Sequence, residues 1–588
     1  MMSQTMAVIF AASVLIFVLA ERAYRIFKPR PSPLDHPAIF FLVVCGAILV
    51  LHSPEILFPQ AINYDEAQML AQAMRYCAHP VPWRDVDGTT GGPLNSLLLS
   101  VPLHLGAPAT WQTARILLWA ANSLTLVFLY LAMRVFGTRL EAQFVLAPTI
   151  LFYAFALGSD FTHYSSETLP VLLLSAGACL LAREWDAPRP SRIRLLLLGL
   201  VSGSLPFTKL QAAPLGVFLF VIALAQLVAH RKSRPQEKFP WPSAGALFLG
   251  AAVAGLWILV WVAASGAFSD FWISYILAGR SYAQEVSAAE RNSNVLRLFA
   301  GSSDFEPYFL DAHLTLALLL GGLFLRTAKL GGRLFWPLLV VLAQGVLTVL
   351  CVVMAGKDFP HYTLLLVPAL AAFLGLTYFA GRRLLGAGAE QAPGPLPRKL
   401  RWFLGAYLVV LLVQMLQPVQ YVHDFGAAYP PVQSTACSAI AARVRAAATA
   451  GDTMSVWGWM PSCYVETGLM PATRDAIGHY VISAGPHRDY FRNRYLSDLK
   501  GSRPAFFIDA VSNGAFLWSS WRPTDVHESF PELAAFVDEN YSLWWTIHLK
   551  PDGVPLRIYL LKSRMAELHL SPGNVETFIE LYPSPQSH

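Results

Sequence analysis

The chain has 588 residues, of which 55% are hydrophobic and only 14% are charged, and its mean hydropathy is +0.46. A soluble chain would be about 25% charged, so most of this protein is predicted to be solvated by lipid. The formal net charge of +6 is small and is concentrated in particular loops. This pattern is typical of membrane topology and excludes a nucleic-acid-binding surface.

Twelve hydrophobic runs, each near the length that crosses a bilayer, follow one another along the chain. They lie at 5–20, 37–53, 112–133, 140–157, 167–182, 194–208, 212–229, 243–264, 312–326, 334–354, 361–380 and 402–419. Lysines and arginines cluster after the first, third, fifth, seventh, ninth and eleventh runs. Because basic loops stay on the cytosolic side, the pattern predicts about 12 spans in a bacterial inner membrane, with the N-terminus outside.

The remaining loops are then predicted to face the periplasm. They are 54–111, 158–166, 209–211, 265–311 and 355–360, together with the chain after about residue 420. In the first loop, apolar residues at helical spacing over 66–77 and the apolar stretch 94–105 predict two juxtamembrane helices. A similar apolar face is expected around Phe271 and Tyr275 in the fourth loop.

The last part of the chain, 420–588, has a different pattern. Short apolar strands are predicted at 454–457, 505–508 and 556–561, and helices at 437–450 and 532–540. This alternation predicts a small periplasmic α/β domain. The pair Cys437 and Cys463 could form a disulfide there, because the periplasm is oxidising.

The sequence therefore divides into three parts. Residues 1–36 form an N-terminal transmembrane helix with a basic cytosolic loop, 37–419 a transmembrane domain, and 420–588 the periplasmic domain. The first run lacks a small-residue cleavage site, so it is predicted to be a retained helix. The Gly- and Pro-rich stretch 386–397 is predicted to be a cytosolic linker.

Two of the predicted outer loops place carboxylates where helices begin. Asp65 and Glu66 follow Asn63 about ten residues beyond the second run, and Glu167 opens the fifth run. Each has a plain structural explanation, since Asn63 and Glu66 fit a capping box and Glu167 fits a first-turn acid. A carboxylate at this depth is costly unless it is solvated or used, so each is also a candidate catalytic group.

Cations and aromatic residues occupy the same predicted side. Lys209 is at the tip of a hairpin between the sixth and seventh runs, and His361 and Tyr362 join the tenth to the eleventh. Lys209 could simply extend to the lipid headgroups, the His–Tyr pair could belong to an interfacial aromatic belt, and Arg84 and Arg280 could be solvated loop residues. Together with the acids, they suit transfer from an anionic lipid, because cations stabilise charge on a departing phosphate.

These motifs, in their order, resemble the GT-C glycosyltransferases, and in particular the protein O-mannosyltransferase and aminoarabinose (lipid A) transferase group. The matching stretches are 63–68, 92–106, 113–137, 165–174, 199–214, 359–370, 456–473 and 530–541. The resemblance implies a GT-C-like fold and an inverting transfer of a sugar from a polyprenyl-phosphate donor. The acceptor would be lipid A, another envelope glycan, a lipid or a protein.

The resemblance also implies roles for individual residues. Asp65 would be the general base, with Glu66 beside it and Glu167 as the second acid. The donor phosphate would be bound by a set drawn from Lys209, Arg84, Arg280, His361 and Tyr362. Relatives often carry a lysine before a Pro-Pro-Leu motif, whereas here 89–94 reads Thr-Thr-Gly-Gly-Pro-Leu, so the phosphate ligand stays open.

The residues also leave a divalent cation open, with no cofactor required by any motif. Candidate oxygen and nitrogen ligands are Asp65, Glu66, Asp160, His163 and Glu167.

Two other functions share parts of this pattern. A lipid or polysaccharide transporter would have similar spans and outer charges, although transporters usually show internal repeats and ionisable residues near the midplane. A membrane-anchored binding or sensor protein would work through its C-terminal domain, which carries no recognisable site. Turnover of a polyprenyl-phosphate sugar by the purified protein separates a transferase from both.

Overall fold

The protein is described by a computed structural model. It covers residues 2–28, 30–300, 305–325, 332–385, 398–414, 418–419, 421, 435–512, 524–550, 555–570 and 575–580. The predicted linker at 386–397 lies outside the described residues, as do 326 and 415–417, which belong to the ninth and twelfth hydrophobic runs.

The first two-thirds of the chain is helical. In chain order the helices are α1 (Met2–Phe27), α2 (Pro37–Leu51), α3 (Ser53–Leu57), α4 (Tyr64–Ala78), α5 (Pro93–His104), α6 (Trp111–Met133), α7 (Arg139–Phe144), α8 (Ala147–Phe155), α9 (Ser159–Thr162), α10 (Thr168–Trp185), α11 (Arg192–Thr208), α12 (Ala213–Ser233), α13 (Trp241–Ala264), α14 (Phe268–Asp270), α15 (Ala278–Gln284), α16 (Ala288–Ala300), α17 (Glu306–Leu325), α18 (Gly332–Met354), α19 (Val367–Leu384) and α20 (Arg398–Gln414). A π-helix, Phe271–Leu277, precedes α15, and a 3₁₀-helix, Pro360–Leu366, precedes α19.

The predicted multi-pass α-helical membrane fold is confirmed. Within the described part of the chain, seven helices are long and apolar enough to cross a membrane. The remaining predicted runs are also helical where they are described. The second, sixth and twelfth correspond to the shorter helices α2, α11 and α20, the ninth lies in α17, and the fourth is divided into α7 and α8. Pro148 lies in the first turn of α8, where its missing N–H is tolerated. The count of twelve spans stays a prediction.

Contacts between loops support the alternation expected from the basic clusters. Arg22, which follows the first run, donates to Gln143 Oε1 at 2.9 Å, and Gln143 follows the third. Arg382, which ends the eleventh, forms an ion pair with Glu141. Arg22 and Arg382 belong to loops assigned to the same side, and Glu141 and Gln143 lie at the start of the fourth run, which begins on that side. The acids and cations of the other loops meet at the opposite end of the bundle, as described below.

Small residues allow α11 to pack closely against α13. This packing fixes the position of Lys209, which directly follows α11. A Cβ added to Gly199 would lie 2.2 Å from Leu247 O, and one added to Gly250 would lie 2.1 Å from Leu196 O. In a membrane the hydrophobic effect does not drive helices together, so their association depends on close packing. Small residues at the interface allow the backbones to approach this closely.

The C-terminal part forms a six-stranded mixed sheet with short helices. Its strands are β1 (Thr453–Trp457), β2 (Met470–Pro471), β3 (Phe506–Asp509), β4 (Tyr541–Lys550), β5 (Leu556–Leu561) and β6 (Val575–Glu580), in the order β2-β1-β3-β5-β4-β6. The helices are α21 (Ala436–Ala447), α22 (Ser462–Thr467), α23 (His479–Ile482), α24 (Arg488–Ser502), α25 (Pro531–Asn540) and α26 (Lys562–Glu567). β1 is parallel to β2 and β3, β5 is antiparallel to β3 and β4, and β6 is parallel to β4.

This sheet confirms the predicted C-terminal α/β region. The three predicted strands correspond to β1, β3 and β5, whereas β2, β4 and β6 were not predicted. Cys437 of α21 and Cys463 of α22 form a disulfide, with their Cα atoms 4.7 Å apart. The disulfide ties the first helix of the region to the short helix that follows β1.

Candidate active site

Three residues from distant parts of the chain meet at the end of the bundle opposite the Arg22–Gln143 contact. Asp65 is in the first turn of α4, Asp160 is in α9, and His361 is in the 3₁₀-helix before α19. Asp65 Oδ2 lies 3.4 Å from His361 Nε2, and His361 Nδ1 lies 2.6 Å from Asp160 Oδ1. The buried imidazole is thus held between two carboxylates that are each about a quarter exposed, at 28% and 24%.

The charge state of Asp160 follows from these contacts. Burial would raise the pKa of its carboxyl, but the hydrogen bond from His361 and the nearby imidazoles lower the pKa below its ordinary value. Asp160 therefore stays ionised at neutral pH and orients the His361 ring toward Asp65.

Asn63 has the capping role considered from the sequence, but Glu66 does not complete a capping box. The Asn63 side chain accepts a hydrogen bond of 3.0 Å from the Asp65 backbone N–H. Glu66 instead accepts from Arg115, with Nε to Oε1 at 2.9 Å and Nη2 to Oε2 at 2.7 Å. Both side chains are fully buried, and Arg115 also donates to three backbone carbonyls.

The catalytic role predicted for Glu66 stays a prediction. Both of its oxygens are bound by one guanidinium, so Glu66 and Arg115 form a buried, bidentate pair that anchors α4 to α6. The neighbouring Asp65 faces His361 instead. The geometry favours Glu66 as a residue that positions Asp65.

Glu167 and Lys209 form a second buried pair beside the first cluster. Lys209 Nζ donates to a carboxylate oxygen of Glu167 and to Ser166 Oγ, the latter at 3.0 Å. Ser166 Oγ also lies 3.1 Å from the other Glu167 oxygen. Lys209 Nζ stands 4.0 Å above the centre of the Tyr362 ring, a cation–π distance. Because Lys209 is only 4% exposed, it does not extend to the headgroups.

The stretch that lacks the expected lysine lies directly against Lys209. Gly91 bridges to Lys209, and Gly92 N donates to Thr208 O at 3.0 Å. A Cβ on Gly92 would lie 2.1 Å from Phe207 O, so only glycine permits this approach. Asn95 completes the junction by donating to Ser166 O and Thr208 O, at 3.0 and 2.9 Å.

A cavity of about 70 Å³ opens beside Lys209 and Tyr362. The other residues that line it are Thr90, Leu210, Gln211, Tyr275, Gly279, Tyr282, Ala283, Met354 and Ala355. Met354, at the end of α18, is half-exposed, whereas Lys209 is buried, so Lys209 marks the inner end of the cavity. The cavity is mostly apolar with one cation at its inner end, which suits an amphiphilic anion.

The two arginines considered as phosphate ligands lie in different settings. Arg84 is half-exposed and bound to its neighbour Asp85, with Nε to Oδ1 at 2.9 Å, so it is not directed into the cavity. Arg280 is exposed in α15, next to the cavity-lining Gly279.

No protein-family model matches the sequence, and no curated protein sequence matches it. The structure superposes on the crystal structure of ArnT from Cupriavidus metallidurans bound to undecaprenyl phosphate with a TM-score of 0.54 and 13% identity, covering 92% of this chain and 100% of that chain. The apo state of the same protein gives a TM-score of 0.50 and 15% identity with the same coverage. The chain has a GT-C fold.

Within this GT-C fold, the candidate metal ligands separate into two groups. Glu66 and Glu167 are already bound by Arg115 and Lys209. His163, by contrast, is buried, and its Nε2 has no hydrogen-bond partner among the described residues, while Nδ1 lies 2.6 Å from Ser159 O. Its ring centre is 5.8 Å from that of His361, beside Asp160.

A second set of metal-type ligands lies in the C-terminal region, where Asp509, His527 and Glu528 are close together. The Arg557 guanidinium already binds two of these carboxylates. Its Nη2 lies 2.6 Å from Asp509 Oδ2 and 2.8 Å from Glu528 Oε2. The positive charge that a metal ion would bring is therefore present as an arginine.

Sequence reasoning missed Arg115 and Asn95, which position Asp65 and Lys209. Arg115 carried a detectable signal, because it is a charged residue inside an apolar run. Such residues are usually paired or functional. Asn95 carried none, because an asparagine near the start of a helix has many ordinary explanations.

Proposed function

We propose that the protein is an inverting glycosyltransferase that moves a sugar from a polyprenyl-phosphate donor to an acceptor of the bacterial envelope. The observation that carries this proposal is the meeting of Asp65, His361 and the Lys209–Glu167 pair beside one apolar-walled cavity. The superposed ArnT structure with undecaprenyl phosphate supports a lipid-phosphate donor. The acceptor class is lipid A, another glycan, a lipid or a protein.

In this mechanism Asp65 is the general base. Its partly exposed carboxylate takes the proton of the acceptor hydroxyl while the acceptor oxygen forms a bond to the anomeric carbon of the donor sugar. The bond from that carbon to the phosphate oxygen breaks, and its electron pair leaves with the phosphate. A single displacement from the face opposite the phosphate inverts the anomeric configuration. His361, held by Asp160, keeps Asp65 in place.

The donor phosphate is proposed to lie at the inner end of the cavity. Lys209 lines the cavity, Tyr362 lies beneath its ammonium group, and Arg280 stands at the exposed side. Glu167 balances the charge of Lys209 while the site is empty of anions, so that the lysine tolerates burial. The polyprenyl chain would follow the apolar wall toward Met354.

A divalent cation stays a prediction for this site, with Asp65, Asp160 and His163 as its candidate ligands. Asp65 and Asp160 contact opposite nitrogens of the His361 ring, and within the described part of the chain these three residues do not form a group whose ligand atoms all lie within 4.8 Å of one another. The described conformation therefore does not form a complete metal site, and no step of the mechanism is assigned to an ion.

We propose that this end of the bundle faces the periplasm. Two observations support the orientation. The Cys437–Cys463 disulfide belongs to an oxidising compartment, and the basic loops meet at the opposite end, as expected for the cytosolic side.

The test is turnover by the purified protein in lipid nanodiscs. Polyprenyl-phosphate hexoses and pentoses are supplied with envelope glycolipids, and products are followed by mass spectrometry and by NMR of the anomeric proton. We expect transfer with inversion for one donor class. Absence of transfer from every donor, together with unchanged envelope glycans in a deletion strain, would refute the proposal.

A further inference from the structure

A buried histidine of the C-terminal region reaches the outer loops next to the candidate active site. His479, the first residue of α23, is 3% exposed, and neither of its ring nitrogens has a hydrogen-bond partner among the described residues. Its Nε2 lies 3.6 Å from Glu285 Oε1, which is an ion-pair distance but too long for a hydrogen bond. A buried ring with unmet donors and acceptors indicates that a ligand or water completes it.

The charged partners of His479 come from two other segments. Glu285 follows α15, and Lys357 lies in the loop after α18, with its Nζ 3.2 Å from Glu285 Oε2. Both side chains are partly exposed, at 34% and 23%. Burial alone would raise the pKa of Glu285, but His479 and Lys357 lower it below the ordinary value. The group thus offers an ionised carboxylate, an ammonium and an imidazole at one partly open place.

Aromatic rings surround this group. The ring of Tyr282 lies 5.5 Å from that of His479 and beneath Lys357 Nζ at 4.8 Å. Trp459 lies 5.5 Å from His479 on another side, and Tyr480 at 5.1 Å. The Tyr480 hydroxyl is also a buried polar group without a hydrogen-bond partner among the described residues.

The group is continuous with the site described above. Tyr282 and Tyr362 both line the cavity, and Tyr362 lies under Lys209. Lys357 is two residues beyond the cavity-lining Ala355. A ligand bound at His479 would therefore stand next to the cavity.

We propose that His479, Glu285 and Lys357, with Trp459 and Tyr282, form a sugar-binding subsite. A pyranose or furanose ring presents hydroxyls that donate to the carboxylate and accept from the ammonium, while its C–H face packs on aromatic rings. The ring belongs either to the donor or to the acceptor, and the subsite selects it. This inference rests on the proposed transferase function for its role, but not for the binding itself.

The test is binding of methyl glycosides of hexoses and pentoses to the full-length protein in nanodiscs, measured by saturation-transfer NMR titration. Wild type is expected to bind at least one glycoside. His479→Asn and Glu285→Gln are each expected to weaken its binding by about tenfold. Glu290→Gln, an exposed acid on the neighbouring α16, is the matched control and should bind like wild type.

The results separate the two proposals and the two sources of the ring. If no glycoside binds to wild type, or if Glu285→Gln binds as wild type does, the subsite is refuted; Glu285 is partly exposed, so this variant keeps its fold even where His479→Asn does not. A raised KM for the polyprenyl-phosphate sugar alone assigns the ring to the donor, and a raised KM for the glycolipid alone assigns it to the acceptor. Glycoside binding that depends on Glu285, in a protein without transferase activity, refutes the proposed function but not the subsite.

Discussion

Lys209 and Glu167, 42 residues apart in the chain, form an ion pair that is almost completely shielded from solvent. Neither residue has another charged neighbour in direct contact that would balance it within the described residues. In the proposed reaction this pair holds a lysine at the inner end of an otherwise apolar cavity. The effect of this ion pair on the free energy of unfolding and its effect on sugar transfer can be measured separately.

The Lys209–Glu167 pair gives a double-variant prediction. Lys209→Met or Glu167→Gln alone leaves one buried polar partner unmatched, and we expect a loss of about 3–5 kcal/mol in the free energy of unfolding. The double variant Lys209→Met/Glu167→Leu removes both charges and should recover most of that stability without recovering transfer. Thermal unfolding and turnover are measured on the same samples. If the double variant transfers sugar at the wild-type rate, Lys209 has no part in donor binding.

Asp65→Asn tests the general base. The amide keeps the shape of the side chain and its place at the start of α4, but it cannot take a proton, so we expect transfer to fall by about 10²–10⁴-fold with little change in melting temperature. Asp186→Asn, at the end of α10 and on the other side of the bundle, is the control, since Asp186 is half-exposed and contacts Arg333. Transfer by Asp65→Asn at the wild-type rate would exclude the proposed role.

Most of the transmembrane architecture is predictable from the sequence, for a physical reason. Lipid requires long apolar helices and sorts basic residues to one side, so runs such as 212–229 and clusters such as those around Arg231 are visible without a structure. The same sorting predicted that Asp65, Glu167 and Lys209 would lie on one side. The structure places them around one region.

The details that were not predictable depend on rotation and on long-range packing. Whether Asp65 or its neighbour Glu66 faces His361 depends on how α4 is rotated against α6, which Arg115 fixes. Likewise, nothing around His479 in the sequence indicates that it meets Glu285, because that contact exists only after the C-terminal region packs on the outer loops. Patterns of hydrophobicity report burial, but they do not report which buried side chains meet.

The Glu66–Arg115 pair should behave as a positioning element. Glu66→Gln is expected to lower the free energy of unfolding by about 3 kcal/mol, because it leaves the Arg115 guanidinium without a balancing charge. Transfer should fall through misplacement of Asp65, by less than in Asp65→Asn. The two variants are compared by turnover per folded molecule. A loss of transfer in Glu66→Gln as large as that in Asp65→Asn, with unchanged stability, would return a catalytic role to Glu66.

Glu466, in α22 of the C-terminal region, predicts how stability depends on pH. Burial raises the pKa of this carboxyl to about 7, against the smaller opposing effects of Arg445 and Thr435. Because the folded-state pKa lies above the unfolded value near 4.5, the protonated form favours folding below pH 4.5, and that stability is lost as the pH rises to 7. Glu466→Gln is therefore expected to stabilise the protein by about 1–3 kcal/mol at pH 8 and by almost nothing at pH 4. Equal melting temperatures of wild type and variant at pH 8 would contradict the assignment.

Metal content tests the divalent cation predicted from the sequence. If Asp65, Asp160 and His163 hold a divalent cation, protein purified without chelator should contain about one equivalent per chain, measured by plasma mass spectrometry, and His163→Ala should lose it. His230→Ala is the control, because His230 lies in the last turn of α12, far along the helix from Lys209. Chelation should then lower transfer by wild type, and the added cation should restore it. Retention of the full metal content by His163→Ala would show that the buried Nε2 serves another purpose, such as binding an internal water.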